Sequence, residues 1–488
     1  MKTYLQTFII TFLLFANTFV FSQNTLKKEM KQYAEQISAT DIESFVSEMV
    51  DPKYKGRLGG TPEYMEIAKW SAQYFKEWGL TPIGDDNSFF QYFNRPYCDV
   101  IDVGEVVLNF NGKKIQLTAK TDYYPGANSA SGIAESELVF VGYGITNNEA
   151  GYDDYAKIDV KNKIVLILNG VPYKGKDAQL RADWTFFNSH AYKYSNALQH
   201  GAIGALLIDM MAAPSTPLLE NFRYASISND VANDILAYQQ SSIKEIENKI
   251  SDCMCPHSFP LDMTVVIRSN TQCYEEGITA NVVGFIEGND PNLKDEIIIV
   301  GAHLDGQGSL GFLLPSALDN ASGVANVMAV AKHASALKGN IKRSILFILF
   351  GAEECGLIGS LHYADNPIFP LENTMLMINL DMVGNGTGIA VWGGKSYPEE
   401  FQLFEKVNEQ YIGRKFTGSD NRTVFGRPRT DGMVFLMRGI PTVHLGITDA
   451  TQPVYYHSHK DVKELLSYDT MEDVARFLYL SLFYIANK

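Results

Sequence analysis

The stretch Ile297–Gly323, IIIVGAHLDGQGSLGFLLPSALDNASG, constrains the fold more than any other part of the 488-residue chain. Ile297 to Gly301 form the short continuous apolar run that a strand buried on both faces requires. The run ends in Ala302-His303-Leu304-Asp305, and side chains two apart leave a strand on the same face, so His303 and Asp305 share one. A Gly- and Pro-containing loop leads to Asp319-Asn320-Ala321-Ser322-Gly323, and the Ala/Val/Met-rich segment from there to Leu337 is predicted to be a helix. A histidine at a strand end and an aspartate at the head of the next helix lie where open α/β sheets keep their ligands.

The same alternation recurs. MTVVIRS (263–269) and ANVVGFIEG (280–288) come first; SILFILFGAEE (344–354), MLMINLDMVG (375–384) and GIPTVHLG (439–446) follow, with helical patterns between them and a last helix from Met471 to Ala486. Alternating elements of this kind predict an α/β fold with a doubly wound, mostly parallel sheet whose strand ends share one edge. Upstream, Thr61-Pro62-Glu63 is a helix start, with a Thr cap, Pro in the first turn and an acid beside it. Residues 25 to about 50 read as an amphipathic helix, and Phe89 to Leu117 as β structure with a hairpin turn at Asn111-Gly112.

Residues 1–22 pair Lys2 with an apolar run and Val20-Phe21-Ser22, the pattern of a secretory signal peptide. The remaining chain divides into an N-terminal part (23–132), a β-rich insertion (133–260) and the α/β unit (261–488), with the turn-dense segment Tyr124–Gly132 at the first boundary. Export to the periplasm or the medium is expected, with no stable membrane span after the leader is removed. The net charge of −15 argues against nucleic acid as a partner. Of five cysteines, Cys253, Cys255 and Cys273 cluster, which makes one bridge there plausible while the connectivity stays open; Cys355 reads as a packed thiol.

Acids that follow apolar strands are costly to bury unless they are paired or bound to metal. Five such places converge on one edge: His303 with Asp305, Asp319, the Glu353-Glu354 pair, Asp381, and Tyr456-His457-Ser458-His459. Two imidazoles and three carboxylates suit zinc, and a carboxylate bridging two ions is usual in two-metal hydrolytic sites. Asp319 is the acid placed to bridge, and one of the two adjacent glutamates is left to accept a proton. His190, His200, His257, His333, His362 and His444 are read as structural or surface residues. Gly306–Gly311 matches GxGxxG, but Pro315 breaks the helix that a dinucleotide site needs; neither HExxH nor GxSxG occurs.

GAHLD…SALDNASG, LFGAEECGLIGS, INLDMVG and YYHSHKD together resemble the motif set of the co-catalytic zinc aminopeptidases of metallopeptidase family twenty-eight, which includes leucyl aminopeptidases and glutamate carboxypeptidases. GRLGGTPEY resembles the N-terminal part of that family, and residues 135–260 its protease-associated domain. The resemblance implies a zinc exopeptidase fold with two Zn2+ per chain: His303 and Asp381 on one ion, Glu354 and His457 on the other, and Asp319 across both. It further implies Glu353 as general base, Asp305 as the acid behind His303, and Tyr456 as a hydroxyl for the tetrahedral intermediate. Three positions depart from the pattern. Thr430-Asp431-Gly432 stands where Ser-Asp-His is common, His459 where Pro is usual, and Ser316 for a common Gly. The implied substrate is a peptide with a free N-terminus. A carboxypeptidase or dipeptidase, for which Arg422, Arg427 and Arg429 would supply a clamp, is the alternative, and a non-catalytic receptor-like protein is an alternative of another class. The oligomeric state is not legible.

Overall fold

A computed structural model describes residues 27–175, 183–421 and 429–488. The leader (1–22), Arg422 and Arg427 therefore lie outside the described residues. Two eight-stranded sheets carry the architecture. In the first, the central strands Ser344–Phe350, Ile297–His303, Thr374–Leu380 and Thr442–Thr448 run parallel in that order. Ile278–Ile286 and Phe90–Asn94 add antiparallel at one edge, and Gly388–Trp392 adds antiparallel at the other. The sheet is mixed at its edges and parallel where the strand-end motifs sit.

Both faces of the central strands are covered, as their unbroken apolar runs require. Ile298 and Val300 pack into one core with the helices Ser322–Lys332 and Tyr468–Ala486. Their alternate neighbours Ile297 and Ile299 face a second core with Tyr363, Val434 and Phe435, from the helices Ile358–Asp365 and Asp431–Met437. The helix Pro62–Glu77 begins as the sequence predicts: the Thr61 hydroxyl accepts the Tyr64 N–H at 3.1 Å.

The second sheet contains Tyr97–Phe110, Lys113–Gln116, Gly132–Val141, Ile164–Leu168, Gly204–Ile208, Arg223–Ile227, Ser258–Tyr274 and the short Tyr123–Pro125. It reaches beyond residues 133–260 at both ends, because Tyr97–Phe110 pairs antiparallel with Ser258–Tyr274. That pairing sets Cys98 opposite Cys273, and the two form a disulfide. The bridge expected within the Cys253, Cys255 and Cys273 cluster is thereby corrected: Cys253 and Cys255 are exposed free thiols. Sequence proximity misleads here because the partner of Cys273 is chosen by strand register. Among the described residues, no helix is long and apolar enough to cross a membrane.

Candidate metal centre

The C-terminal ends of the parallel strands bring the predicted residues together. His303 ends its strand, and its Nε2 lies 3.2 Å from Asp319 Oδ1, 3.6 Å from Asp381 Oδ1 and 3.9 Å from Glu353 Oε2. His457 Nε2 lies 3.0 Å from Glu354 Oε2 and 3.4 Å from Asp319 Oδ2. The two oxygens of Asp319 thus face different imidazoles. The ligand atoms form three overlapping groups: His303 with Asp319 and Asp381, His303 with Glu353 and Glu354, and His457 with Asp319 and Glu354. His459 stands apart, its Nδ1 held 2.6 Å from the Tyr124 hydroxyl.

The donors fit metal ions. Glu354 Oε1 and Asp381 Oδ1 are buried without a hydrogen-bond partner, a costly state for polar atoms that a cation would relieve. The titration behaviour points the same way. Burial opposes charge on His457, yet Glu354 and Asp319 override it and push the imidazole up to about 10. Burial, with Glu354 and Asp431 nearby, holds the Glu353 carboxyl well above its ordinary value. Asp319 is held low against its burial because both imidazoles bond to it. The pocket demands positive charge.

Local structure explains why these motifs read as they do. The helix predicted to follow Asp319 is regular from Ser322, and Asp319 and Asn320 at its head take non-helical dihedrals. Asn320 instead ties the head of that helix to the end of the strand Thr374–Leu380: its Oδ1 accepts the Gly323 and Met382 N–H groups, and its Nδ2 donates to Leu380 O. A Cβ on Gly323 would lie 2.3 Å from that Oδ1, so glycine is required there. Ser316 sits at φ 53°, and its hydroxyl accepts the Gln307 N–H at 3.1 Å.

Asp305 stands behind His303 and also reaches the glutamate pair. Its carboxylate accepts the backbone N–H groups of Glu353 (2.9 Å) and Glu354 (3.1 Å), while His303 Nδ1 lies closer to the Asp305 carbonyl, at 3.2 Å, than to its Oδ1, at 3.7 Å. The acid fixes the turn that carries the glutamate pair. Asp461 acts likewise on the opposite wall, accepting the N–H groups of Leu318 (2.8 Å) and Asp319 (3.1 Å). At Thr430-Asp431-Gly432, burial pushes the Asp431 carboxyl up to about 7. A Cβ on Gly432 would approach the His444 ring to 2.7 Å, so His444 fills the space of the side chain this chain lacks.

Arg57 was missed: in the sequence it is only one residue of GRLGGTPEY, with no role attached. It is fully buried and donates to the carbonyls of Met49, Leu304, Pro315 and Ser316, gripping the loops on either side of Asp305 and Asp319. Burial lowers its pKa to about 10, so it stays cationic at neutral pH and offsets the acids. Its loop is pressed against the metal-side loop: a Cβ on Gly56, at φ +75°, would meet Gly308 O at 2.2 Å. Arg57→Met is expected to cost ~4 kcal/mol of stability, since each orphaned buried carbonyl costs roughly 1–3 kcal/mol. An unchanged urea midpoint would reject this assignment.

Beside the cluster opens a cleft of about 430 Å³, lined by Glu353, Glu354, Tyr456 and His457 on one side and by Ala212 and His190 on the other. Tyr456 is 43% exposed and its ring stacks on His457, centroids 3.6 Å apart. His190, read as structural or surface, reaches this cleft from the start of the helix His190–Gln199 and pairs with Asp209 at 3.1 Å. Arg429 is exposed at the rim.

A parallel α/β sheet whose strand ends gather two imidazoles and several carboxylates beside an open cleft defines the class of metal-dependent hydrolases. Residues 281–481 match the model of Peptidase family M28. Leucine aminopeptidase 2 of Trichophyton equinum is 26% identical over 353 residues, covering 69% of this chain and 59% of the relative's length. Aminopeptidase YwaD of Bacillus subtilis is 26% identical over 395 residues, 78% of this chain and 72% of its own. The solved structure of the aminopeptidase from Aneurinibacillus sp. strain AM-1 has the same fold, with a TM-score of 0.66 at 21% identity over 94% of this chain and 96% of that one.

Proposed function

We propose that the chain is an exported zinc aminopeptidase that removes N-terminal residues from peptides at a two-zinc centre. The observation that carries this reading is the split of Asp319, with one carboxylate oxygen toward His303 and the other toward His457. His303 and Asp381 would hold one ion, Glu354 and His457 the other, and Asp319 both. When bound, the zinc pair lowers the pKa of the attacking water and polarises the scissile carbonyl.

The chain's own groups do the rest. Glu353, buried and facing the cleft, takes the proton of the attacking water and returns it to the leaving amine. Asp305 holds Glu353 and Glu354 in place through their N–H groups. The Tyr456 hydroxyl donates to the oxyanion of the tetrahedral intermediate. The acidic edge binds a free α-amino group, which supports cleavage from the N-terminus. The second sheet is taken to be the accessory domain, and the apolar leader supports export.

Arg429 at the cleft rim favours the second reading, a carboxypeptidase or dipeptidase, because it could clamp a terminal carboxylate. Aminoacyl-nitroanilides compared with N-blocked dipeptides separate the two: turnover of the blocked set alone rejects the aminopeptidase. The retained ligands and Glu353 argue against a non-catalytic receptor. Removing metal with a chelator is expected to abolish turnover, with recovery complete at two equivalents of zinc; full activity in the metal-free chain would overturn the proposal.

A further inference from the structure

Two hydrogen bonds join His457 to the second sheet. Ala212, just past the strand Gly204–Ile208, donates its N–H to His457 O at 2.9 Å, and its own carbonyl lies 3.2 Å from His457 Nδ1. A carbonyl only accepts, so this contact keeps a proton on Nδ1 and leaves Nε2, which faces Glu354 and Asp319, as the nitrogen that would bind an ion held there. That is the tautomer a metal-binding imidazole needs, and a carbonyl on the far nitrogen is the usual means of fixing it. His457 lies in a loop with no strand or helix between Thr448 and Lys463, so regular structure does not set its ring.

The loop bearing Ala212 is itself anchored. Asn128 Nδ2 donates to Pro214 O at 3.1 Å and to Thr216 O. Arg95 reaches the same Pro214 carbonyl at 3.0 Å, while its other nitrogen donates to Gly59 O at 3.1 Å. Both side chains are buried. Nearby, the hydroxyl of Tyr124, on a strand of the second sheet, accepts the His459 N–H and contacts His459 Nδ1.

We infer that the second sheet is a working part of the metal centre: the Ala212 carbonyl orients the His457 imidazole, with Asn128 and Arg95 as positioning residues that hold its loop. The inference rests on the proposed role of His457 as a zinc ligand. It explains why the sheet meets the catalytic unit at this loop, and it places the accessory domain in zinc retention at one of the two sites.

The test uses the full chain as wild type, Asn128→Asp, Arg95→Lys and His457→Ala, with both zinc affinities measured by chelator competition and folding followed by thermal melting. Asn128→Asp and Arg95→Lys are expected to weaken the site that His457→Ala abolishes by roughly 10- to 100-fold, the usual cost of losing a group behind a ligand, and to spare the other site. Arg95→Lys keeps the charge and guards against a folding failure in the first variant. Unchanged affinities, or parallel loss at both sites with a lowered melting point, overturn the inference. If His457→Ala leaves zinc binding unaltered, the ligand reading itself has failed; if it removes one site while both loop variants bind as wild type, only the inference falls.

Discussion

Glu353→Gln is expected to cut turnover by roughly 100- to 10,000-fold, the range general-base catalysis supplies, while the chain still binds two zinc ions. The amide keeps the size and the buried position of the carboxylate but cannot take a proton from water. Its backbone N–H still reaches Asp305, so the turn that positions Glu354 survives. Glu353 lies 3.9 Å from His303 Nε2, farther than Asp319 or Asp381, so its loss removes no close partner of that imidazole. Steady-state kinetics with metal analysis on the same sample reads both quantities. Unchanged turnover rejects Glu353 as the base, and loss of zinc in parallel makes it a ligand instead.

The second large effect is expected at Asp319. Asp319→Ala should lower zinc content from two ions to one or fewer and reduce activity at least as far as the loss of the base, because among the described residues Asp319 alone pairs at close range with both imidazoles, at 3.2 Å and 3.4 Å. Stability should not follow. The backbone of Asp319 is held by Asp461 independently of its side chain, and the uncharged residue removes one acid from a crowded acidic pocket. Two zinc ions retained at ordinary affinity would exclude Asp319 as the bridge. The two substitutions form a pair: the first separates chemistry from metal binding, and the second removes both.

Much of this centre was legible because each of its parts announces itself locally. A buried parallel strand must be apolar throughout, so a histidine or acid at its end stands out, as His303, Glu353, Glu354 and Asp381 do. Arg57 gave no such signal. Its partners, Met49, Leu304, Pro315 and Ser316, are backbone carbonyls, which any residue carries. The Cys98–Cys273 bridge was hidden for a related reason: its sulfurs are 175 positions apart and meet through strand register. Asp305 was placed correctly on the His303 face, yet its carboxylate serves the glutamate turn on the neighbouring strand.

The sequence by itself determined the class of sheet and the inventory of its strand-end chemistry, because period and apolar runs are local and burial penalises every unpaired acid. Tertiary structure alone decided which oxygen of Asp319 faces which imidazole, that His459 turns to Tyr124, and that Ala212, from a loop of the second sheet, meets the His457 ring. The contact between His457 and Ala212 spans 245 positions, and its donor and acceptor are set by where two sheets come to rest. No pattern of neighbouring residues records that position.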